Sequence, residues 1–187
     1  MGNRISQKYL PRLSLIIAVF VLAVFALSCA PSNTTNPTPQ EMDEAPDFTL
    51  TTLTGDEITL SELKGTPVVL NFWSTRCGFC VQELPYFEAA AQQNKLEMTI
   101  IAINTGESIS RIQEFFGDYE PTMTVALDKN IEVFSNYSLS YDNPRGSIPF
   151  TFFIDSEGII QHIKLGAFLS EAELQDSLRD LLETTSM

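Results

Sequence analysis

Short apolar runs bounded by turn residues alternate with helical patterns along the chain from Pro46 onward. Runs rich in Val, Ile, Phe and Thr favour strands, whereas apolar residues three and four positions apart favour amphipathic helices. The predicted strands cover residues 48–53, 57–60, 68–72, 98–104, 124–127, 150–155 and 159–165. The predicted helices cover residues 77–94, 108–116, 131–137 and 170–183.

Turn and capping residues connect these elements. Thr54-Gly55-Asp56 separates the first two strands and Ser156-Glu157-Gly158 separates the last two, so each pair is predicted to form a β-hairpin. Ser170 followed by Glu173 matches a capping box at the start of the last helix. Because strands and helices alternate early and a hairpin closes the sheet, the sequence predicts an α/β fold. Its mixed central sheet carries helices on both faces and begins with the N-terminal hairpin.

Residues 1–29 have the three-part layout of a secretory signal. Three basic residues precede an almost unbroken apolar run over residues 13–27, which is short for a membrane span of about 20 residues. The end of this segment resembles a bacterial lipobox, in which Cys29 would become lipid-modified, although Ala26 stands where Leu is usual. Lipid attachment, an uncleaved membrane anchor and release by signal peptidase stay open. Each of them delivers the following domain outside the cytoplasm.

Composition separates a linker from a folded domain. Residues 30–45 are rich in Pro, Asn and Thr and are predicted to form a flexible tether, whereas residues 46–187 can form one domain with its own core. The chain has 24 acidic and 11 basic residues, and beyond residue 30 only eight basic residues remain, for a net charge of −16. Because such a domain repels nucleic acid and anionic lipid surfaces, no nucleic-acid partner is expected.

Cys77 and Cys80 are the only thiols of the predicted domain. Two cysteines are too few for a disulfide scaffold, and with His162, the single histidine, they are too few for a four-ligand zinc site; no metal site is predicted. The pair follows a buried strand and opens a helix, and its spacing places both sulfurs on one helical face, close enough to bond. The helix N-terminus favours a thiolate at Cys77. This pattern predicts a redox-active pair.

Further motifs surround the pair, namely Asn71-Phe72-Trp73, Glu83-Leu84-Pro85, Ile148-Pro149 before Phe152-Phe153-Ile154-Asp155, and the glycines Gly158 and Gly166. Together they resemble the thioredoxin fold, and more narrowly the TlpA/ResA type of membrane-tethered thiol-disulfide oxidoreductase. The resemblance covers residues 45–183. The chain departs from the family pattern at Arg76, where Trp is usual, and at Phe79, where Pro is frequent. The segment 140–145 is also longer than usual.

The resemblance implies a role for each residue of the motif. Cys77 would be the attacking nucleophile and Cys80 would resolve the mixed disulfide, with no organic cofactor required. Asn71 occupies the position of the buried aspartate of thioredoxin but cannot titrate. Glu83, which matches the glutamate of the ResA type, is therefore the candidate proton relay for Cys80. The alternative for Glu83 is a solvated glutamate that favours the helix dipole.

The resemblance also implies contacts with substrate. Pro149 matches the cis-proline that lies opposite the active cysteine and, with Ile148, offers backbone to an incoming peptide; an ordinary trans proline at a strand start is the alternative. Trp73 is predicted to pack beside the active-site loop as a substrate contact, although core packing explains it equally well. Arg76 could stabilise the thiolate of Cys77 or point into water.

These features predict an extracytoplasmic, membrane-anchored disulfide reductase of protein substrates, for example apocytochrome c, supplied with electrons by a membrane partner. An oxidase or isomerase of the DsbA type would use the same cysteines. A peroxiredoxin would need a Pro-x-x-x-Thr-x-x-Cys motif, and nothing before Cys77 supplies its proline. A copper-binding chaperone of the Sco type would need a wider Cys-x-x-x-Cys spacing and a histidine in a loop, whereas His162 falls in a predicted strand.

Overall fold

The computed structural model describes residues 42–94 and 97–185. The predictions for the leader, for Cys29 and for residues 30–41 of the tether lie outside the described residues. The strands are β1 Thr49–Thr52, β2 Glu57–Thr59, β3 Val68–Trp73, β4 Thr99–Thr105, β5 Thr124–Asp128, β6 Phe150–Ile154 and β7 Ile160–Leu165. The α-helices are α1 Gly78–Asn94, α2 Ile109–Phe116, α3 Glu132–Ser140 and α4 Glu171–Thr185, and a 3-10 turn covers Leu60–Leu63. Each predicted strand and helix is present, with ends that move by no more than three residues.

The seven strands form one mixed sheet in the order β2-β1-β5-β4-β3-β6-β7. Strands β3, β4 and β5 are parallel, while β1, β2, β6 and β7 join their neighbours in antiparallel pairs. The parallel strands bring their carboxyl ends to the same edge of the sheet. The segment from β3 to α1, which carries Cys77, starts at that edge.

Side chains along β3 point alternately to the two faces of the sheet. The core accordingly consists of two apolar clusters, one on each face. Val69 and Trp73 belong to the cluster that contains the inward faces of α1 and α4, whereas Val68, Leu70 and Phe72 belong to the cluster that contains residues of α3. The predicted helices on both faces are therefore confirmed. Asn71 shares the parity of Val69 and Trp73, which directs this polar residue toward α1.

Residues 42–45 are part of the folded domain, whereas the sequence predicts that the tether extends to residue 45. The N–H of Met42 donates to the carbonyl of Ile160 at 2.6 Å, the N–H of Ala45 donates to that of Gly158 at 2.9 Å, and Glu44 forms a β-bridge with Ile159. This segment is thus part of the domain. Composition missed it because backbone hydrogen bonds to a strand end need no apolar side chains.

None of the helices in the described part of the chain is long and apolar enough to cross a membrane.

Candidate active site

Cys77 and Cys80 form a disulfide across the first turn of α1, with their Cα atoms 5.2 Å apart. Cys77 is partly exposed, whereas Cys80 is fully buried. The backbone N–H of Cys80 donates to Cys77 Sγ at 3.2 Å. In the reduced protein this N–H and the helix N-terminus would stabilise a thiolate on Cys77, the more accessible sulfur.

The loop before β6 lies against Cys77. The Ile148–Pro149 peptide bond is cis, as the resemblance implies, and the carbonyl oxygen of Ile148 lies 3.7 Å from Cys77 Sγ. The carbonyl of Pro149 accepts a hydrogen bond from the N–H of Gly166 at 2.9 Å, which joins this loop to the segment after β7. The structure therefore brings together three regions that are distant in sequence: the cysteine turn, the proline loop and the loop between β7 and α4.

Glu83 lies one turn beyond Cys80 on α1 and is fully buried. One carboxylate oxygen accepts from Asn71 Nδ2 at 2.8 Å, and the other accepts from the N–H of Phe168 at 2.7 Å. Burial raises the pKa of Glu83 to about 7, although these two hydrogen bonds and the charge of Lys164 act in the opposite direction. The solvated alternative is wrong, since Glu83 has no exposed surface.

Asn71 connects Glu83 to the sheet. Its Nδ2 donates to Thr151 Oγ1 on β6 at 3.0 Å as well as to Glu83, whereas its Oδ1 has no hydrogen-bond partner among the described residues. Both hydrogens of the amide are thus directed at oxygen atoms. Asn71 supports the ionised form of Glu83 without competing for its proton.

Trp73 requires a correction. Its indole is fully buried and packs against Phe115 and Phe116 of α2, with ring centroids 5.4 and 5.9 Å away. A side chain without exposed surface cannot contact a docked peptide. The core-packing interpretation of Trp73 therefore replaces the substrate-contact interpretation in this structure.

Glu107 is a site residue that the sequence reasoning missed. Its side chain, 4% exposed, accepts from the backbone N–H of Thr75 at 2.7 Å and from the Thr75 hydroxyl at 2.8 Å, and its Oε1 lies 3.5 Å from Arg76 Nε. Asn104 Nδ2 donates to the same carboxylate at 2.8 Å. Glu107 thus fixes the turn that leads into Cys77. Arg76 itself is mostly exposed and pairs with Glu107.

His162 lies in β7, opposite Phe153, and its ring stacks at 5.6 Å on the Phe153 ring. Within the described residues, no group of three or more His, Cys, Asp or Glu side chains is placed to hold a metal ion. His162 thus lies in a strand, whereas a copper-binding chaperone of the Sco type would need a histidine in a loop.

The site thus combines a redox disulfide at a helix N-terminus with a cis-proline loop on a mixed sheet. A model of the AhpC/TSA family matches residues 42–163. The chain belongs to the AhpC/TSA family, within its thioredoxin-like members.

The relatives of the chain include named disulfide oxidoreductases and a thioredoxin-like protein. The chain is 34% identical over 137 residues to the thiol-disulfide oxidoreductase ResA of Bacillus subtilis, covering 73% of each chain. It is 32% identical over 142 residues to the thioredoxin-like protein YneN of the same organism, covering 74% of this chain and 79% of YneN. The crystal structure of a secreted Mycobacterium tuberculosis disulfide oxidoreductase homologous to E. coli DsbE superposes with a TM-score of 0.59 at 26% identity, over 73% of this chain and 95% of that one. The chain is thus a thiol-disulfide oxidoreductase with a thioredoxin-like fold.

Proposed function

We propose that the chain is an extracytoplasmic disulfide reductase that acts on protein clients through Cys77 and Cys80. The observation that carries this proposal is the position of Cys77, a partly exposed residue whose sulfur lies 3.7 Å from the Ile148 carbonyl oxygen. An extended client segment can pair with the backbone of this loop while its own sulfur faces Cys77. Cys80 is buried, so a client sulfur meets Cys77 first.

In the first step, the thiolate of reduced Cys77 attacks one sulfur of a client disulfide. A bond forms between Cys77 Sγ and that sulfur, the client S–S bond breaks, and the other client sulfur leaves as a thiolate that takes up a proton. The N–H of Cys80, 3.2 Å from Cys77 Sγ, stabilises the attacking thiolate.

In the second step, Cys80 attacks Cys77 Sγ. The Cys77–Cys80 disulfide forms, the mixed disulfide breaks, and the second client sulfur leaves. Cys80 must lose its thiol proton for this attack, and Glu83 is the proposed acceptor. Its pKa of about 7 makes it a stronger base than an ordinary glutamate. The client gains two electrons and two protons, and a thiol donor at the membrane must reduce the protein again.

The proposed location is outside the cytoplasm, with the N-terminal segment as signal or anchor and Cys29 as the lipidation site. The three-part pattern of residues 1–29 supports this location, as does the secreted Mycobacterium tuberculosis relative. Apocytochrome c is the client class that the TlpA/ResA resemblance suggests.

The direction of electron transfer is tested by the reduction potential of the pair. The protein is equilibrated in a series of glutathione or dithiothreitol buffers and the thiols are trapped and counted, with Cys80→Ser as the control that cannot form the disulfide. A reductase requires a potential nearer that of thioredoxin, about −270 mV, than that of DsbA, about −120 mV. A value above about −170 mV would assign the protein as a disulfide donor instead.

A further inference from the structure

An ion pair between Lys164 and Glu173 fastens the loop between β7 and α4. Lys164 Nζ on β7 lies 2.7 Å from Glu173 Oε1 on α4, and Lys164 is three-quarters buried. The other oxygen of Glu173 accepts from the backbone N–H of Leu169 at 2.8 Å. A partly buried ion pair that also holds a loop amide is more constrained than an exposed pair.

Phe168 occupies the middle of this loop and points into the core. Its ring packs against those of Phe87 and Phe153, with centroids 5.8 and 6.2 Å away, and Lys164 Nζ lies 4.9 Å from its centroid. Its backbone N–H is the donor that reaches Glu83 Oε2 at 2.7 Å. The segment that supplies this donor is therefore held by Lys164 on one side and by Glu173 on the other.

The charges that act on Glu83 come from two elements, β7 and α4. Lys164 approaches from β7 and favours the carboxylate, which lowers the pKa of Glu83, while Glu173 on α4 raises that pKa. On α1 itself the titratable neighbour is Cys80, one turn away. Asn71 and Thr151, from β3 and β6, are uncharged. Lys164 is thus the one cation among the described groups that act on Glu83.

We propose that Lys164 and Glu173 are positioning residues that hold the N–H of Phe168 on the Glu83 carboxylate and so keep Glu83 ready to take the proton of Cys80. The inference rests on the proposed function. When Cys80 attacks Cys77 Sγ of the mixed disulfide, the thiol proton moves to Glu83 and the electron pair of Cys80 forms the new S–S bond. The bond between Cys77 and the client sulfur breaks, and the client sulfur leaves as a thiolate. Without the Phe168 N–H and the Lys164 charge, the pKa of the Glu83 carboxylate is higher. Glu83 is then already protonated when Cys80 needs a proton acceptor.

A two-phase thiol reaction tests this inference. Reduced protein is mixed with dithiobis-nitrobenzoate: attack by Cys77 releases the first thionitrobenzoate, and attack by Cys80 releases the second. The rate of the second release is measured against pH. In Lys164→Met the midpoint of this pH–rate profile should rise by about one pH unit. This shift corresponds to about a tenfold loss of the second-release rate at pH values below the wild-type midpoint.

Two matched variants separate positioning from general effects. Lys164→Arg keeps the charge and should restore the wild-type midpoint. Arg179→Met removes a cation from an exposed pair with Asp176 on α4, 3.1 Å long, and should leave the midpoint unchanged. The amide resonance of Phe168 should move in Lys164→Met and stay in place in Arg179→Met. If Lys164→Met does not fold, Lys164→Gln replaces it with the same expected direction.

A midpoint in folded Lys164→Met equal to that of Arg179→Met overturns the inference. A shifted midpoint with an unmoved Phe168 amide also overturns it, because the charge would then act without the loop. Failure of the proposed function gives a different result: the second release is absent in the wild type, or Glu83→Gln has the same pH profile as the wild type.

Discussion

The side-chain amide of Asn71 donates a hydrogen bond at 2.8 Å to the carboxylate of Glu83, inside the core and one helical turn beyond Cys80. Asn71 belongs to β3 and Glu83 to α1, so the bond ties the central strand to the helix that carries Cys80. An amide can support a buried carboxylate but cannot accept the proton in its place. This arrangement leaves Glu83 as the titrating group of the pair.

The first prediction concerns the stability of the oxidised protein, in which neither Cys77 nor Cys80 titrates. Burial raises the pKa of Glu83 from 4.5 to about 7, so the folded state binds more protons than the unfolded state between these values. The stabilisation by protonated Glu83 is therefore complete at pH values below its unfolded-state pKa. It is lost as the pH rises through its folded-state pKa. We expect the free energy of unfolding to fall by about 3 kcal/mol across this interval, relative to Glu83→Gln.

Urea unfolding of both proteins at several pH values measures this difference. Comparison with Glu83→Gln cancels the titration of the other groups. A difference between the two proteins that does not change with pH would show that Glu83 has an ordinary pKa in the fold.

The second prediction concerns Asn71. Replacement by Ala removes a donor from the carboxylate, so the pKa of Glu83 should rise above its wild-type value by about one unit. Thr151→Val removes the other partner of Asn71, which lies 3.0 Å away, and leaves the bond to Glu83 in place. It should shift the pKa less. A titration followed by the carboxyl carbon resonance of Glu83 measures both variants, and equal shifts would contradict the assigned role of Asn71.

Much of this fold and of the site can be predicted from local patterns in the sequence. The spacing of Cys77 and Cys80 is a helical spacing, and the strand before them is apolar except for Asn71, so their place at a helix start follows from neighbours in sequence. The proline loop could be assigned from Ile148-Pro149 directly before a strand, but only through a family resemblance. Nothing local shows that this loop would meet Cys77.

Contacts between distant segments could not be predicted in the same way. In the sequence, Glu107 follows β4 in the manner of an ordinary surface glutamate. It meets Thr75 only because β3 and β4 are parallel, with Trp73 opposite Asn104. The sequence leaves the role of Trp73 open between substrate contact and core packing, because its environment depends on where α2 packs. The pairing of Lys164 with Glu173 likewise depends on how α4 returns to the edge of the sheet.

The third prediction concerns the leader. If Cys29 is the lipidation site, Cys29→Ser should abolish incorporation of a labelled fatty acid and change processing or membrane retention, because the thiol that receives the lipid is gone. The measurement is labelling of cells that express the full chain, with Cys80→Ser as a control that keeps Cys29. Absence of label from the wild-type protein would contradict lipidation, and a full-length membrane-bound product would indicate an uncleaved anchor.

The fourth prediction concerns Glu107, which holds the turn before Cys77. Burial alone would raise its pKa, but hydrogen bonds from Asn104 and Thr75 outweigh burial and hold the pKa below the usual 4.5. A lowered pKa stabilises the fold at pH values above the ordinary pKa of glutamate. This stabilisation is lost as the pH falls through the pKa of Glu107 in the folded state. Near neutral pH, Glu107→Gln should lose about 1–3 kcal/mol of unfolding free energy, because one acceptor oxygen becomes a donor facing Thr75 or Asn104.

The control for this prediction is Glu114→Gln. Glu114 is 74% exposed and pairs with Arg111 at 3.2 Å, so its loss should change stability by about 0–1 kcal/mol. Urea unfolding near neutral pH compares the two variants with the wild type, and a second series in acid should show the gap between wild type and Glu107→Gln becoming smaller. If Glu107→Gln proves as stable as Glu114→Gln near neutral pH, the Glu107 carboxylate does not hold the turn before Cys77 and is not needed to position the nucleophile.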